Sequence, residues 1–210
     1  GDNTTSQLGT NSASMAQVNS QTSWALVTGS LHSVAVKTNG TLWAWGAGTV
    51  GQLGDGTSVT KSSPVQIGAL TTWSKVAAGL SHTMAVQTNG KLWAWGLGTN
   101  GVLGDGTAVT KSSPVQVGAL TTWSKVAAGS SHTAAVKTDG TLWAWGLGSS
   151  GQLGDGTTVT KSSPVQIGAL TTWSQAAAGN RHTMAVKTDG TLWAWGRNND
   201  GQLAMDCTWL

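Results

Sequence analysis

The sequence has no Phe, no Tyr and no Glu, a single Cys, three Pro, and only 9% charged residues. Each shortage removes a class of protein. With one thiol, Cys207, no internal disulfide can staple the fold, so this is not a cystine-framework domain. No run approaches the ~18 consecutive apolar residues of a membrane-spanning helix. No secretory leader is visible, and the chain starts at Gly1 without Met, as a processed chain or a fragment would. The absence of Glu and the scarcity of Leu and Lys runs argue against helices. The net charge of +3 reflects few charges of either sign. The lysines recur at intervals, whereas nucleic-acid binders concentrate theirs on one face or arm, so nucleic acid is not an expected partner.

What the chain does have is 30 Gly and 13 Trp among abundant Thr, Ser and Val, the composition of short strands joined by tight turns. At 210 residues it is long enough to bury a sizeable core. Internal periodicity organises all of it. Trp43, Trp93, Trp143 and Trp193 are spaced by 50 residues, as are His32, His82, His132 and His182. TKSSPVQIGALTTWS occurs at 60–74 and again at 160–174, with Ile changed to Val at 110–124.

Each unit reads as four strands: WSKVAAG (73–79), HTMAVQT (82–88), KLWAWG (91–96) and, after a glycine-rich loop, SPVQVG (113–118). Asn89-Gly90 and its equivalents Asn39-Gly40, Asp139-Gly140 and Asp189-Gly190 predict a type I′ hairpin between the second and third strands, a turn that needs two positive φ values. In the third strand Trp93 and Trp95 point to one face and Leu92 and Ala94 to the other. Both faces are apolar, so the sheet must be covered on both sides, as in stacked propeller blades. The tryptophans are expected to form core and not a ligand cage. The expectation is an all-β propeller of about four 50-residue, four-stranded blades in one domain. Residues 1–23 form a half repeat that latches to the C-terminal repeat, three whole repeats run over 24–73, 74–123 and 124–173, and a half repeat (174–203) and a tail (204–210) follow.

Several motifs suggest chemistry. GAGTVG (46–51), GLGTNG (96–101) and GLGSSG (146–151) satisfy a dinucleotide-loop pattern, but each is followed by another glycine turn and not by the helix that would hold a pyrophosphate. Four histidines at equivalent positions could ring a metal; the alternative, preferred here, is that each ties its own turn to backbone. Asp55, Asp105 and Asp155 offer one carboxylate per loop, too few oxygens for calcium, and are read as turn formers. Lys61, Lys111 and Lys161 are read as solvated rim residues, and no Ser or Thr has the neighbours of a nucleophile. No cofactor, no metal and no catalytic residue is therefore expected.

The segments VTGSLHSVAV (27–36), AAGLSHTMAV (77–86), AAGSSHTAAV (127–136) and AAGNRHTMAV (177–186), with the GQLGDGT loops at 51–57 and 151–157, resemble the signature of the regulator of chromosome condensation repeat family. That resemblance implies a propeller, seven-bladed in its members, with blades of this length. The family's founding member is a nucleotide exchange factor for a small GTPase, dependent on inserted loops and a basic tail that have no counterpart here. A plant UV-B photoreceptor of the family uses Gly-Trp-Arg-His-Thr; Gly179-Asn180-Arg181-His182-Thr183 is the nearest match, with Asn in place of the sensing Trp. Near-identical Trp-rich copies are most like bacterial and phage members, which implies a surface, secreted or virion setting. The expected function is a non-catalytic scaffold for a protein partner or for self-assembly, with a multivalent, lectin-like carbohydrate binder using Trp faces as the alternative. The units differ mainly at loop tips, so the candidate partner-facing positions are Thr49, Val50, Thr99, Asn100, Ser149, Ser150, Asn199 and Asp200.

Overall fold

The structure, a computed structural model, describes residues 17–18 and 23–204. The expected latch of 1–23 thus lies almost wholly outside the described residues, as does Cys207. Among the described residues there is no α-helix; fifteen strands alternate with tight turns. The first unit gives β1 (Trp24–Gly29), β2 (His32–Lys37), β3 (Leu42–Gly46) and β4 (Lys61–Gln66). The second gives β5 (Trp73–Ala78), β6 (His82–Gln87), β7 (Leu92–Gly96) and β8 (Lys111–Gln116). The third gives β9 (Trp123–Ala128), β10 (His132–Lys137), β11 (Leu142–Gly146) and β12 (Lys161–Gln166), and the fourth β13 (Trp173–Ala178), β14 (His182–Lys187) and β15 (Leu192–Gly196). Each set is one antiparallel meander in chain order. In the first three units all four expected strands are present, the outermost beginning two residues earlier than the sequence suggests, and the fourth unit has three strands among the described residues. The outermost strand is an edge, and Pro64, Pro114 and Pro164 sit in it where a missing N–H costs no ladder bond.

The hairpins form where the sequence places them, but not as type I′ turns. Gly40 donates to the Lys37 carbonyl and Lys37 to the Thr41 carbonyl, which encloses a three-residue loop. Only the glycine has positive φ (+78° at Gly40), the pattern of a type I turn closed by a left-handed bulge residue. The Asn39 Oδ1 accepts both the N–H and the hydroxyl of Thr41, at 3.1 and 2.7 Å, and Asp139 and Asp189 do the same for Thr141 and Thr191. These side-chain bonds hold the residue before the glycine in an Asx turn.

Among the described residues the sheets stack face to face as propeller blades. Inner strand packs on inner strand, β1 on β5, β5 on β9 and β9 on β13, and no comparable packing joins β13 back to β1. Every interface has the same composition. Val34, Val36, Leu42, Ala44, Leu53 and Ile67 of the first blade meet Trp73, Ala85 and Trp95 of the second. Met84, Val86, Leu92, Ala94, Leu103 and Val117 of the second meet Trp123, Ala135 and Trp145 of the third. The third interface repeats the pattern on Trp173, Ala185 and Trp195. Each blade therefore has one aliphatic face and one tryptophan face, and stacking buries one against the other. In the second, third and fourth blades the inner-strand Trp meets both tryptophans of its own third strand edge-on, Trp123 lying 5.9 Å from Trp143 and from Trp145.

Candidate interaction site

Recurring His, Thr and Trp side chains lie at the seams between blades. Thr83 Oγ1 donates to the carbonyl of Gln52 on the preceding blade (2.7 Å), and Trp95 Nε1 donates to the same oxygen (3.0 Å). The Thr83 proton is thus committed, so His32, whose Nε2 lies 2.7 Å from Thr83 Oγ1, must donate to it. The second seam repeats this with His82, Thr133, Trp145 and the Val102 carbonyl, and the third with His132, Thr183, Trp195 and the Gln152 carbonyl. The side chains of His32, His82 and His132 consequently bind the next blade's threonine instead of tying their own turns, a correction to the local reading of the repeat.

A donating Nε2 requires a neutral imidazole with Nδ1 bare. In His32 and His132 that nitrogen is buried with no hydrogen-bond partner. Burial pushes His32 and His132 down to about 4 and His82 to about 3, with repulsion from neighbouring imidazoles adding to the effect at His82 and His132. The imidazoles are spread one per seam, and among the described residues no three His, Cys, Asp or Glu side chains converge as metal ligands.

The seam also explains a glycine. Gly104 has φ +77°, and a Cβ there would stand 2.6 Å from the Trp145 Nε1; Gly54 and Gly154 face Trp95 and Trp195 in the same way. The loop backbone can reach the next blade's indole only without a side chain. A second tie lies further out, where Gly56 and Gly106 donate to the carbonyls of Ser112 and Ser162 on the following blade.

The two tryptophans of each third strand differ in role. Trp45, Trp95 and Trp145 are buried, whereas Trp43, Trp93 and Trp143 are half-buried and Trp193 is 50% exposed. Lys37, Lys137 and Lys187 place their ammonium groups 4.3, 3.5 and 4.0 Å from the ring centroids of Trp43, Trp143 and Trp193. A sugar stacking on those faces would have to displace the lysine. In the second blade Gln87 replaces that lysine and Lys91 replaces the threonine that accepts from the indole, and Trp93 Nε1 is buried without a partner.

The aspartates of the glycine loops are turn formers. Asp55 accepts the N–H and hydroxyl of Thr57 and pairs with Lys61 at 3.3 Å. Burial raises the Asp55 carboxyl, but the Thr57 and Lys61 bonds outweigh it and hold the group below its usual range. Lys111 and Lys161 make the same pair with Asp105 and Asp155, so the three lysines are ion-paired and not simply solvated.

The candidate partner-facing tips follow the third strand of each blade, at the edge that carries the histidines. Thr49, Thr99, Asn100, Ser149, Asn199 and Asp200 are exposed, and Val50 and Ser150 half-exposed. Their backbones are not identical. The buried Gln52 and Gln152 accept the N–H of Val50 and Ser150 through Oε1, and Gln202 accepts that of Asp200. Val102 stands at this position in the second unit and has no acceptor to offer. There the tip winds into a 3₁₀ turn, Thr99–Gly101, with Asn100 left-handed at φ +60°. One buried substitution thus reshapes an exposed tip.

Comparison with known proteins agrees with this architecture. No curated protein matches the sequence significantly. Among solved structures, human WBSCR16 superposes with a TM-score of 0.83 at 24% identity, over 97% of this chain and 57% of that one. The yeast RCC1 protein Prp20, in its complex with Kap60, gives 0.72 at 22% identity over 88% of this chain and 45% of that one. Prp20p of Saccharomyces cerevisiae, in a study of its binding to Gsp1p and histones, gives 0.72 at 26% identity over 85% and 45%. The chain therefore spans about half the length of these relatives. A family model described as the RCC1-like domain matches residues 1–209, and the chain belongs to that family.

Proposed function

We propose that the chain is a non-catalytic scaffold that presents its variable loop tips to a protein partner. One observation carries this reading: the recurring seam side chains, such as His32, Thr83 and Trp95 and their equivalents, are bonded between blades, while the loop tips that differ from unit to unit are exposed or half-exposed. A constant frame with variable tips is the arrangement that sets specificity without altering the fold. The fold relatives point to the same partner class, since Prp20 is described with Kap60, Gsp1p and histones, all proteins.

Making all tips alike tests this. Val50→Asn, Ser149→Thr, Ser150→Asn, Asn199→Thr and Asp200→Asn together give every unit the Thr-Asn tip of the second. The expected result is at least a tenfold loss of affinity for the protein that the native chain captures, with the melting temperature unchanged. Undiminished affinity in the uniform-tip chain contradicts the reading.

A further inference from the structure

The chain has two arginines, Arg181 and Arg197, and the fold sets them side by side. They stand just beyond the His182–Gly196 pair that ends the β14–β15 ladder, and Arg197 donates its backbone N–H to the Arg181 carbonyl at 2.9 Å. This is the edge that carries the variable tips, and Arg197 opens the tip that runs through Asn199 and Asp200. The same two positions hold Leu31 and Ala47, Ser81 and Leu97, and Ser131 and Leu147 in the other blades, so the fourth blade alone is charged here. Exposure at these positions does not depend on where the stack of blades ends. Ser81, Leu97, Ser131 and Leu147 stay half-exposed with a blade packed on either side of them.

Like charges directly opposite each other on adjacent strands repel. Nothing among the described residues offsets this. The ion pairs there are Asp55–Lys61, Asp105–Lys111 and Asp155–Lys161, which leave both guanidinium groups, and Asp200 in the same tip, without one. Arg181 is exposed, whereas Arg197 is half-buried and its Nε is shut off from water with no acceptor. Shielding from water strengthens the pull of such a group on an anion. The frame accepts neutral residues at both positions in the other three blades, so the charges serve something outside the frame.

We propose that Arg181 and Arg197 form a clamp for an acidic side chain, Asp or Glu, of the protein partner. The occupant follows from charge complementarity. A guanidinium presents parallel N–H donors that match the two oxygens of a carboxylate, and a carboxylate held between two of them relieves their repulsion. Nucleic-acid phosphate fits less well, because a polyanion is held by cations along its whole path. The other cations at this edge, Lys61, Lys111 and Lys161, already have carboxylate partners. The inference rests on the reading that this edge faces a protein, and it adds that the partner's contact with the fourth blade is acidic.

The test is fluorescence anisotropy of a labelled hexaglutamate peptide added to the full chain at low ionic strength. The native chain should bind it, and Arg181→Ser combined with Arg197→Leu should weaken binding by about tenfold or more. Both substitutions copy the third blade, so the circular dichroism spectrum should not change. Lys75→Gln combined with Lys125→Gln copies Gln175, removes the same net charge elsewhere and should hold the affinity within about twofold. A native chain that does not bind, native-like binding by the double-arginine variant, or an equal loss in the double-lysine variant overturns the clamp. So does a native chain that prefers a single-stranded oligonucleotide of equal charge, because the occupant is then phosphate. The uniform-tip chain keeps both arginines and should still bind the peptide, so failure of the tip reading and failure of the clamp give different results.

Discussion

Lowering the pH from 7.5 to 5 is expected to remove about 6 kcal/mol of folding stability, through three histidines alone. His32 and His132 hold their neutral forms down to about 4 and His82 to about 3, against 6.5 in an unfolded chain. Between those values the unfolded chain binds protons that the folded chain refuses, so the folded state is fully favoured above about 6.5 and loses ground as pH falls towards 4. Each imidazole contributes about 2 kcal/mol of loss by pH 5. Domain stabilities are about 5–15 kcal/mol, so the loss is a large share of the whole. The structural reason is at each seam: protonation would add an N–H at a buried Nδ1 that, in His32 and His132, has nothing to accept it. Urea midpoints at pH 7.5 and 5 check this, and a midpoint that stays level over that interval contradicts it. Acid should therefore open the blades from one another.

Trp145→Ala should cost about 3–5 kcal/mol, and Trp143→Ala, two residues away on the same strand and face, roughly half as much or less. Trp145 is fully buried between two blades, packs on Trp123 and donates to the Val102 carbonyl across the seam. Its removal leaves a cavity walled by the second blade's aliphatic face and deprives that carbonyl of one of its two donors. Trp143 is half-buried, bonds only to Thr141 in its own hairpin and is roofed by Lys137, so the chain can relax around its loss. Urea unfolding of the two variants measures the difference, and equal costs would mean that the seam has no special part in holding the blades.

Much of this was legible in the sequence. The 50-residue period, the four strands per unit, the hairpin positions and the two apolar faces of LWAWG all follow from spacing and alternation. The hairpin geometry was harder to read. Asn-Gly signals a type I′ turn, yet the hydroxyl and N–H of Thr41 capture the Asn39 side chain and leave only Gly40 left-handed. The seams were hidden for a reason peculiar to repeats. His82 and Thr83 are neighbours in sequence, so the pair reads as a local motif, but His82 bonds to Thr133 and Thr83 receives His32, each 51 residues away. In a 50-residue repeat, contact within a unit and contact with the next unit leave the same pattern. Gly54, Gly104 and Gly154 have positive φ and so read as ordinary turn glycines, which conceals that each also makes room for the next blade's indole. The tips were identified by their variation alone, and their differing backbones depend on the buried Gln-to-Val change at 102, which looks like a core substitution.

Long-range nitrogen–proton NMR of the imidazoles tests the role of the seam histidines most directly. At pH 5, still in the folded state, His32, His82 and His132 are predicted to be neutral, protonated at Nε2 only, each with its Nε2 proton slow to exchange. If those three rings are instead doubly protonated at pH 5, or neutral with the proton on Nδ1, the blades are not held together in the way described.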